Sequence, residues 1–404
     1  LEKIWYTRYF FICIRRLHLL KQQAMQIKSK LPHVGTTIFT VMSALAREHN
    51  ATNLSQGFPD FNGSPLLTDL ADKYIRSGFN QYAPMPGTIQ LRERIAEIIH
   101  HCYGATYHPD AEITVTAGAT QAIYTTLAAF VQPGDEVIVI EPAYDCYVPA
   151  IELHGGLPVY SALRPDDFSI NWSDVQSKIN SRTRLIIINS PHNPSGAVFS
   201  KHDLDQLEKL TAGTNIIILS DEVYEHMVFD GLGHQSVARR PALAERSVIV
   251  SSFGKTVHTT GWKIGYVAAP SELMTEFRKV HQFLVFVVNH PLQLALADFL
   301  GNKDHYLELK HFYQQKRDLF LRLTAGSRLI PLKTSGTYFQ LMSYRNISNE
   351  RDSQLAIRLT KEKKLATIPL SVFYSDQTDH KLLRFCFAKK DETLEKAAEI
   401  ICSL

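Results

Sequence analysis

Lys255 sits in Ser251-Ser252-Phe253-Gly254-Lys255-Thr256, directly after the apolar run Val248-Ile249-Val250 and shortly before Gly261-Trp262-Lys263-Ile264-Gly265. A lysine at the end of a buried strand can be desolvated and held against a ligand, which is how a nucleophilic amine is made. A solvated cap at a strand end is the competing reading. Two upstream segments share the pattern: Ile216-Ile217-Ile218-Leu219-Ser220 runs into Asp221-Glu222-Val223-Tyr224, and Leu185-Ile186-Ile187-Ile188 runs into Asn189-Ser190-Pro191-His192-Asn193-Pro194-Ser195-Gly196. Continuous apolar runs of this length are expected of strands covered on both faces in an α/β sheet. Ligands gather beyond the carboxyl ends of such strands, so Asn193, Asp221, Tyr224 and Lys255 are expected to converge on one site.

Those residue types suit one cofactor. An aldehyde needs a lysine amine for its Schiff base, and a pyridine ring used as an electron sink needs a carboxylate, here Asp221, to keep its nitrogen protonated. A phenolate on that ring needs donors, which Tyr224 and Asn193 can supply. With these residues in place, the chain resembles the pyridoxal-phosphate-dependent aminotransferases of fold type I, class I/II. The stretches 53–61 (Asn-Leu-Ser-Gln-Gly-Phe-Pro-Asp-Phe), 191–196 (Pro-His-Asn-Pro-Ser-Gly) and 251–256 are most similar to bacterial methionine aminotransferases and their kynurenine aminotransferase relatives. The likeness covers roughly Leu31 to Leu404.

Further site residues follow, some from the residues themselves and some from the resemblance. Ile113–Thr116, then Gly118-Ala119-Thr120, reads as strand, glycine turn and helix start; free amides and the helix dipole there suit a phosphate. A generic strand-to-helix turn is the alternative. Arg384 stands in the otherwise apolar Leu382-Leu383-Arg384-Phe385-Cys386-Phe387, where a buried guanidinium is costly unless it faces an anion. That anion is either a structural carboxylate or, as the resemblance implies, the substrate's own. The resemblance also implies a backbone donor to substrate at Gly57, a ring stacked on the cofactor at Tyr144, phosphate contacts from Ser252 and Lys263, and pocket walls at Ile38 and Phe39. Lys263 replaces the family's usual arginine and so offers a point charge instead of a bidentate fork. Tyr82, otherwise an ordinary loop aromatic, is implied to reach the phosphate of a second subunit, hence a homodimer with shared sites. His192 is left out as a solvated loop residue.

The elements that position these residues imply an α/β protein: a large domain with a mostly parallel sheet covered by helices, and a smaller α/β domain built from the C-terminal part and the N-terminal arm. At 404 residues, two domains are the default. The expected divisions are a non-family extension over 1–30, an arm over 31–60 joining the small domain, a large cofactor domain over 61–301 and a small domain over 302–404. Strands are expected at Ser335–Leu341, Ile368–Tyr374 and Leu382–Phe387, and a helix from the capping hydroxyls after Gly35 to Ala46. The first 24 residues do not resemble the family, and Met25 is expected to be the natural start.

Charge and cysteines narrow the class. Residues 1–30 hold seven Lys or Arg and one acid, so the rest is mildly acidic, net −3 against +3 for the whole. No nucleic-acid partner is expected of such a body. No run approaches the ~20 apolar residues a membrane span needs. The five cysteines (Cys13, Cys102, Cys146, Cys386, Cys402) show no metal spacing and read as reduced thiols of a cytoplasmic protein, Cys386 as a small buried hydrophobe. The resemblance implies transfer of the amino group of methionine, and of other large apolar or aromatic amino acids, to a 2-oxo acid. A cysteine-S-conjugate-type β-lyase or a kynurenine/glutamine-type transaminase on the same fold is the alternative.

Overall fold

The computed structural model describes residues 27–404. The expectations for the first 24 residues therefore lie outside the described residues. The chain divides into two compact units at Gly35/Thr36. In the first, residues 27–35 form no helix or strand, and Val34 N–H donates to Leu31 C=O at 3.2 Å.

The second unit, Thr36–Leu404, is built on a seven-stranded sheet of β1 (Ile113–Thr116), β2 (Glu136–Glu141), β3 (Leu157–Ala162), β4 (Thr183–Asn189), β5 (Ile217–Asp221), β6 (Ser247–Ser252) and β7 (Gly265–Ala268). Their order is β1-β7-β6-β5-β4-β2-β3. β3, β2, β4, β5 and β6 pair in parallel, and β7 runs antiparallel to both β6 and β1. The mostly parallel sheet expected from the apolar runs is thus present. Its side chains alternate with period two, so each strand feeds two cores. Ile138, Ile186, Ile188, Ile218 and Ile249 fall in one core, while Val137, Leu185, Ile187, Leu219 and Val248 fall in the other beside helix Gly118–Phe130. Burial on both faces is why these strands are continuously apolar.

A second sheet is antiparallel and joins β8 (Ile330–Pro331), β9 (Phe339–Ser343), β10 (Ile368–Pro369) and β11 (Leu382–Cys386) in the order β10-β11-β9-β8. Leu341 on β9 pairs with Arg384 on β11. Thr52–Asn53 pairs in parallel with Leu365–Ala366, which fixes the start of the 53–61 loop. The expected helix after Gly35 is Ile38–Glu48, with the Thr37 hydroxyl accepting from Thr40 N–H.

Two strand expectations are corrected. The strand over Ile368–Tyr374 stops at Pro369, and Ser371–Phe373 forms a 3₁₀ turn. The buried Asp352 carboxylate accepts from Ser371 N–H and Oγ–H, each at 2.7 Å, and pulls the chain out of the sheet. The strand expected from Ser335 begins only at Phe339, because the Ser335 carbonyl accepts from Phe229 N–H and Thr337 N–H turns to the Met227 carbonyl.

Candidate active site

Polar residues cluster at the carboxyl ends of β4, β5 and β6 because parallel register brings those ends side by side. Asn189 pairs with Asp221, and Asp221 with Val250. Beyond them lies a cavity of about 300 Å³ whose walls include Gly57, Gly118, Ala119, Thr120, Tyr144, Asn193, Asp221, Tyr224, Ser252, Lys255, Lys263 and Arg384. Of the site residues expected from the sequence, Tyr82 and the pocket-wall candidate Ile38 are not on these walls. A larger cavity of about 560 Å³, lined by Leu163, Phe168, Phe199 and Lys333 among others, contains neither Lys255 nor Arg384, so the convergent chemistry is in the smaller one.

Lys255 lies on a single helical turn, Phe253–Thr256, immediately after β6. Its Nζ donates to the Gly57 carbonyl at 3.0 Å and to the Tyr338 hydroxyl at 2.7 Å, and Tyr338 in turn donates to the Gly57 carbonyl. The competing strand-end cap would point into solvent. Here burial lowers the amine to about 8, with Arg384 and Lys263 lowering it further while Cys386 and Asp221 act against them.

Asp221 is buried at the end of β5, where it accepts from Tyr147 O–H at 2.5 Å and from Val223 N–H at 3.3 Å. Burial raises it to about 6, against these two donors. The Tyr224 ring meets the Tyr338 ring edge-on at 5.2 Å, and burial pushes its phenol up. Tyr144 is edge-on to Tyr147 at 5.9 Å. Its phenol is also raised by burial.

Helix Gly118–Phe130 has no side-chain cap, which leaves its first amides turned to the cavity mouth. Gly118 has φ +76°, and a Cβ there would come within 3.4 Å of Lys263 Nζ. Lys263 is itself left-handed at φ 54°, which carries its side chain back over that turn. Among the described residues no carboxylate pairs with it.

Arg384 is 1% exposed and points from β11 into the cavity. Its Nη1 donates to Asn193 Oδ1 at 2.8 Å and its Nη2 to the Ser55 carbonyl at 3.1 Å, while Nε has no partner. The guanidinium stacks over the Phe339 ring at 3.9 Å, with Phe39 and Phe373 at 5.2 and 5.3 Å. Among the described residues no carboxylate lies within ion-pair distance, so the structural salt bridge weighed from the sequence is absent. Gly57 is required by close approach: a Cβ there would stand 2.8 Å from Phe339 Cζ. Phe39 lines the cavity; Ile38, partly buried, packs on the core.

Two expectations fall differently. Tyr82 is 79% exposed, outside the cavity, with its ring edge-on to Phe286 at 5.3 Å. His192 is not a solvated loop residue: it is buried, with Nδ1 2.7 Å from Ser195 Oγ and Nε2 2.9 Å from the Pro142 carbonyl. Burial lowers it to about 4, so it is a neutral structural group, and leaving it out of the chemistry stands. Sequence reasoning missed Tyr147 and Tyr338. The first sits in a motif read only for Tyr144, and the second in a segment read only as a strand.

The buried carboxylate carries a measurable cost. Because Asp221 rises from 3.8 to about 6 on folding, its stabilising contribution is fully present below 3.8 and is lost as pH rises through 6. In the ligand-free protein the Asp221→Asn variant, which cannot ionise there, is therefore more stable than wild type by about 2–4 kcal/mol at pH 8. The difference shrinks toward zero near pH 4. Urea unfolding of both proteins across this range checks the sign.

With this geometry established, comparison with known proteins is direct. The family described as Aminotransferase class I and II matches residues 49–401. The chain is 51% identical to the methionine aminotransferase of Escherichia coli K12 over 92% of its own length and 97% of that protein. It is 35% identical to the kynurenine–oxoglutarate transaminase of Dictyostelium discoideum, over 92% and 94%. A solved Escherichia coli structure described as having a methionine aminotransferase function superposes with a TM-score of 0.92 at 50% identity, covering 94% of this chain and all of that one. Thermus thermophilus aspartate aminotransferase, at 28% identity, gives 0.86 over 94% of this chain. A lysine amine and an acid on the walls of one cavity, set at the ends of parallel strands in this order, accord with those relationships, and the chain belongs to the class I and II aminotransferases.

Proposed function

We propose that this enzyme uses pyridoxal 5′-phosphate to move the amino group of methionine, and of other large apolar or aromatic amino acids, to a 2-oxo acid. The observation that carries the reading is Arg384, a buried guanidinium turned into the same cavity as Lys255 and Asp221 with no carboxylate within ion-pair distance among the described residues. The 51% identity to a methionine aminotransferase supports the donor.

The residues present fit this cofactor. Lys263, the uncapped amides of Gly118, Ala119 and Thr120, and the Ser252 hydroxyl form a cradle of donors for a phosphate. Asp221, fixed by Tyr147, is the partner for a protonated ring nitrogen; Asn193 and Tyr224 offer donors to the ring oxygen, and Tyr144 a face to stack on. Bound there, the cofactor supplies an electron sink for the pair left when a bond to the substrate α-carbon breaks. Arg384 grips the substrate carboxylate through its fork, assisted by Asn193 and the Gly57 backbone. Lys255 Nζ, lowered toward neutrality, takes the α-proton as general base and later returns it. Asp221 stays ionised opposite a cation, which offsets the cost of its burial.

The reading includes a homodimer in which Tyr82 reaches the phosphate of the partner subunit. Its exposure together with Phe283 (87%) and Phe286 (47%) supports such a contact. It includes a cytoplasmic location, supported by the free thiols of Cys102, Cys146, Cys386 and Cys402. Also included are a large domain over 61–301 and a small domain over 302–404, with the arm of 31–60 joining the latter and an extension over 1–30.

A kynurenine/glutamine-type transaminase is the second reading, favoured by the Dictyostelium relative. Purified enzyme tested with a panel of amino acids against several 2-oxo acids should give the highest kcat/KM with methionine. Kynurenine or glutamine leading by tenfold would replace the donor. Pyruvate and ammonia appearing without any oxo-acid acceptor would make the enzyme a β-lyase.

A further inference from the structure

The ε-amine of Lys255, half-buried on the cavity wall, is held in an unusual way for a lysine withdrawn from solvent. A buried ammonium is ordinarily answered by a carboxylate, which raises its pKa and keeps its proton. Lys255 instead has two neutral oxygens, the Tyr338 hydroxyl at 2.7 Å and the Gly57 carbonyl at 3.0 Å. The two acceptors are themselves joined, since Tyr338 donates its only hydroxyl proton to Gly57 and must therefore accept from Lys255. Tyr338 is fully buried, and burial keeps its phenol neutral. Three chain segments thus meet in one triangle: the turn after β6, the residue before β9 and the 53–61 loop.

We propose that Tyr338 is a positioning residue for Lys255: with the Gly57 carbonyl it forms a two-acceptor perch that fixes the ε-amine whenever it is not covalently engaged, without trapping its proton. The inference rests on the function proposed above. In that reaction the substrate Cα–H bond would break as its proton forms a new N–H bond at Nζ, the cofactor, when bound, would supply the sink for the electron pair, and Nζ would then give the same proton up. An amine anchored by a carboxylate would take the proton readily and release it slowly. One anchored by neutral oxygens keeps its place and can do both. The groups facing Lys255 are Asp221 at the end of β5, Tyr224 beyond it, Arg384 and Cys386 on β11, and Lys263. None of them hydrogen-bonds the amine.

Tyr338→Phe removes one acceptor and keeps the ring. In cofactor-free protein, acetic anhydride labelling of Lys255 followed by mass spectrometry across pH should give a half-labelling point roughly one unit lower than wild type, because the ammonium loses a partner that the neutral amine needs less. In the loaded enzyme kcat should fall about 10- to 100-fold with KM within twofold, and the α-deuterium isotope effect should rise. Should the phenylalanine variant fold poorly, 3,5-difluorotyrosine at position 338 keeps ring and hydroxyl but weakens the acceptor, and should move the half-labelling point in the same direction by less. An unmoved half-labelling point in a folded variant, with an unchanged isotope effect, would reduce Tyr338 to packing. Failure of wild-type protein to take up pyridoxal phosphate at Lys255 would instead overturn the aminotransferase reading itself.

Discussion

On the proposed function, replacing Lys255 by alanine removes the visible absorbance of a lysine–pyridoxal adduct and lowers kcat by at least about 10⁴-fold. Two roles are lost together, the covalent anchor and the proton carrier, and no neighbour can assume them. The other ammonium on the cavity wall, Lys263, lies against Gly118, where the proposed function puts it in the phosphate cradle. Asp221 is acidic and held by Tyr147, and Tyr338 is a phenol that burial keeps protonated. The phosphate cradle is untouched by the substitution, so the variant should still bind the cofactor, colourless at the adduct wavelength and displaceable by dialysis. A variant that stays yellow and active would remove Lys255 from the chemistry. Spectra and single-turnover kinetics on the same sample separate the two losses.

Arg384→Met lowers kcat/KM for α-amino acids by about 10²- to 10³-fold, the usual cost of deleting one member of a buried, hydrogen-bonded charge pair. Amines without a carboxylate, already poor substrates, lose little. The stability result separates this role from a structural one. If Arg384 were half of an internal salt bridge, its removal would strand a buried carboxylate and cost about 3–5 kcal/mol. Among the described residues the guanidinium has no carboxylate within ion-pair distance, Asp145 acts on it only from farther away, and its Nε is unsatisfied. What folding loses is the stacking over Phe339 at 3.9 Å and two hydrogen bonds to neutral oxygens. What it regains is the desolvation of a charge, which lowers Arg384 itself to about 10. The variant should therefore unfold within about 1 kcal/mol of wild type in urea, with methionine filling the same space. A loss of several kcal/mol would assign Arg384 to structure.

Much of this site was legible because local pattern and global position coincide in a parallel sheet. A run such as Ile216–Leu219 followed by Ser220-Asp221 marks both a buried strand and its carboxyl end, and carboxyl ends are where such sheets bind ligands. Lys255, Asp221, Asn193 and the Gly118 turn could each be placed by reading a few residues either side. The strand expected over Ile368–Tyr374 failed for the opposite reason. Its composition favours a strand, but Asp352, some twenty residues away in sequence, takes the Ser371 amide that a ladder would have used.

The sequence by itself determined the elements, the residue types that end them and the resemblance that joins them into one chemistry. The tertiary structure alone decided which group holds which. Tyr147 finds Asp221 across 74 residues, Tyr338 finds Lys255 across 83, and Gly57 offers its carbonyl to Lys255 across 198. It also decided that Arg384 has no carboxylate within ion-pair distance among the described residues. Periodicity and propensity are short-range properties of the backbone and its neighbours, whereas these contacts arise where β9, β11 and the 53–61 loop close over the ends of β5 and β6. The free energy that fixes them comes from burying two large apolar cores, which no window along the chain contains.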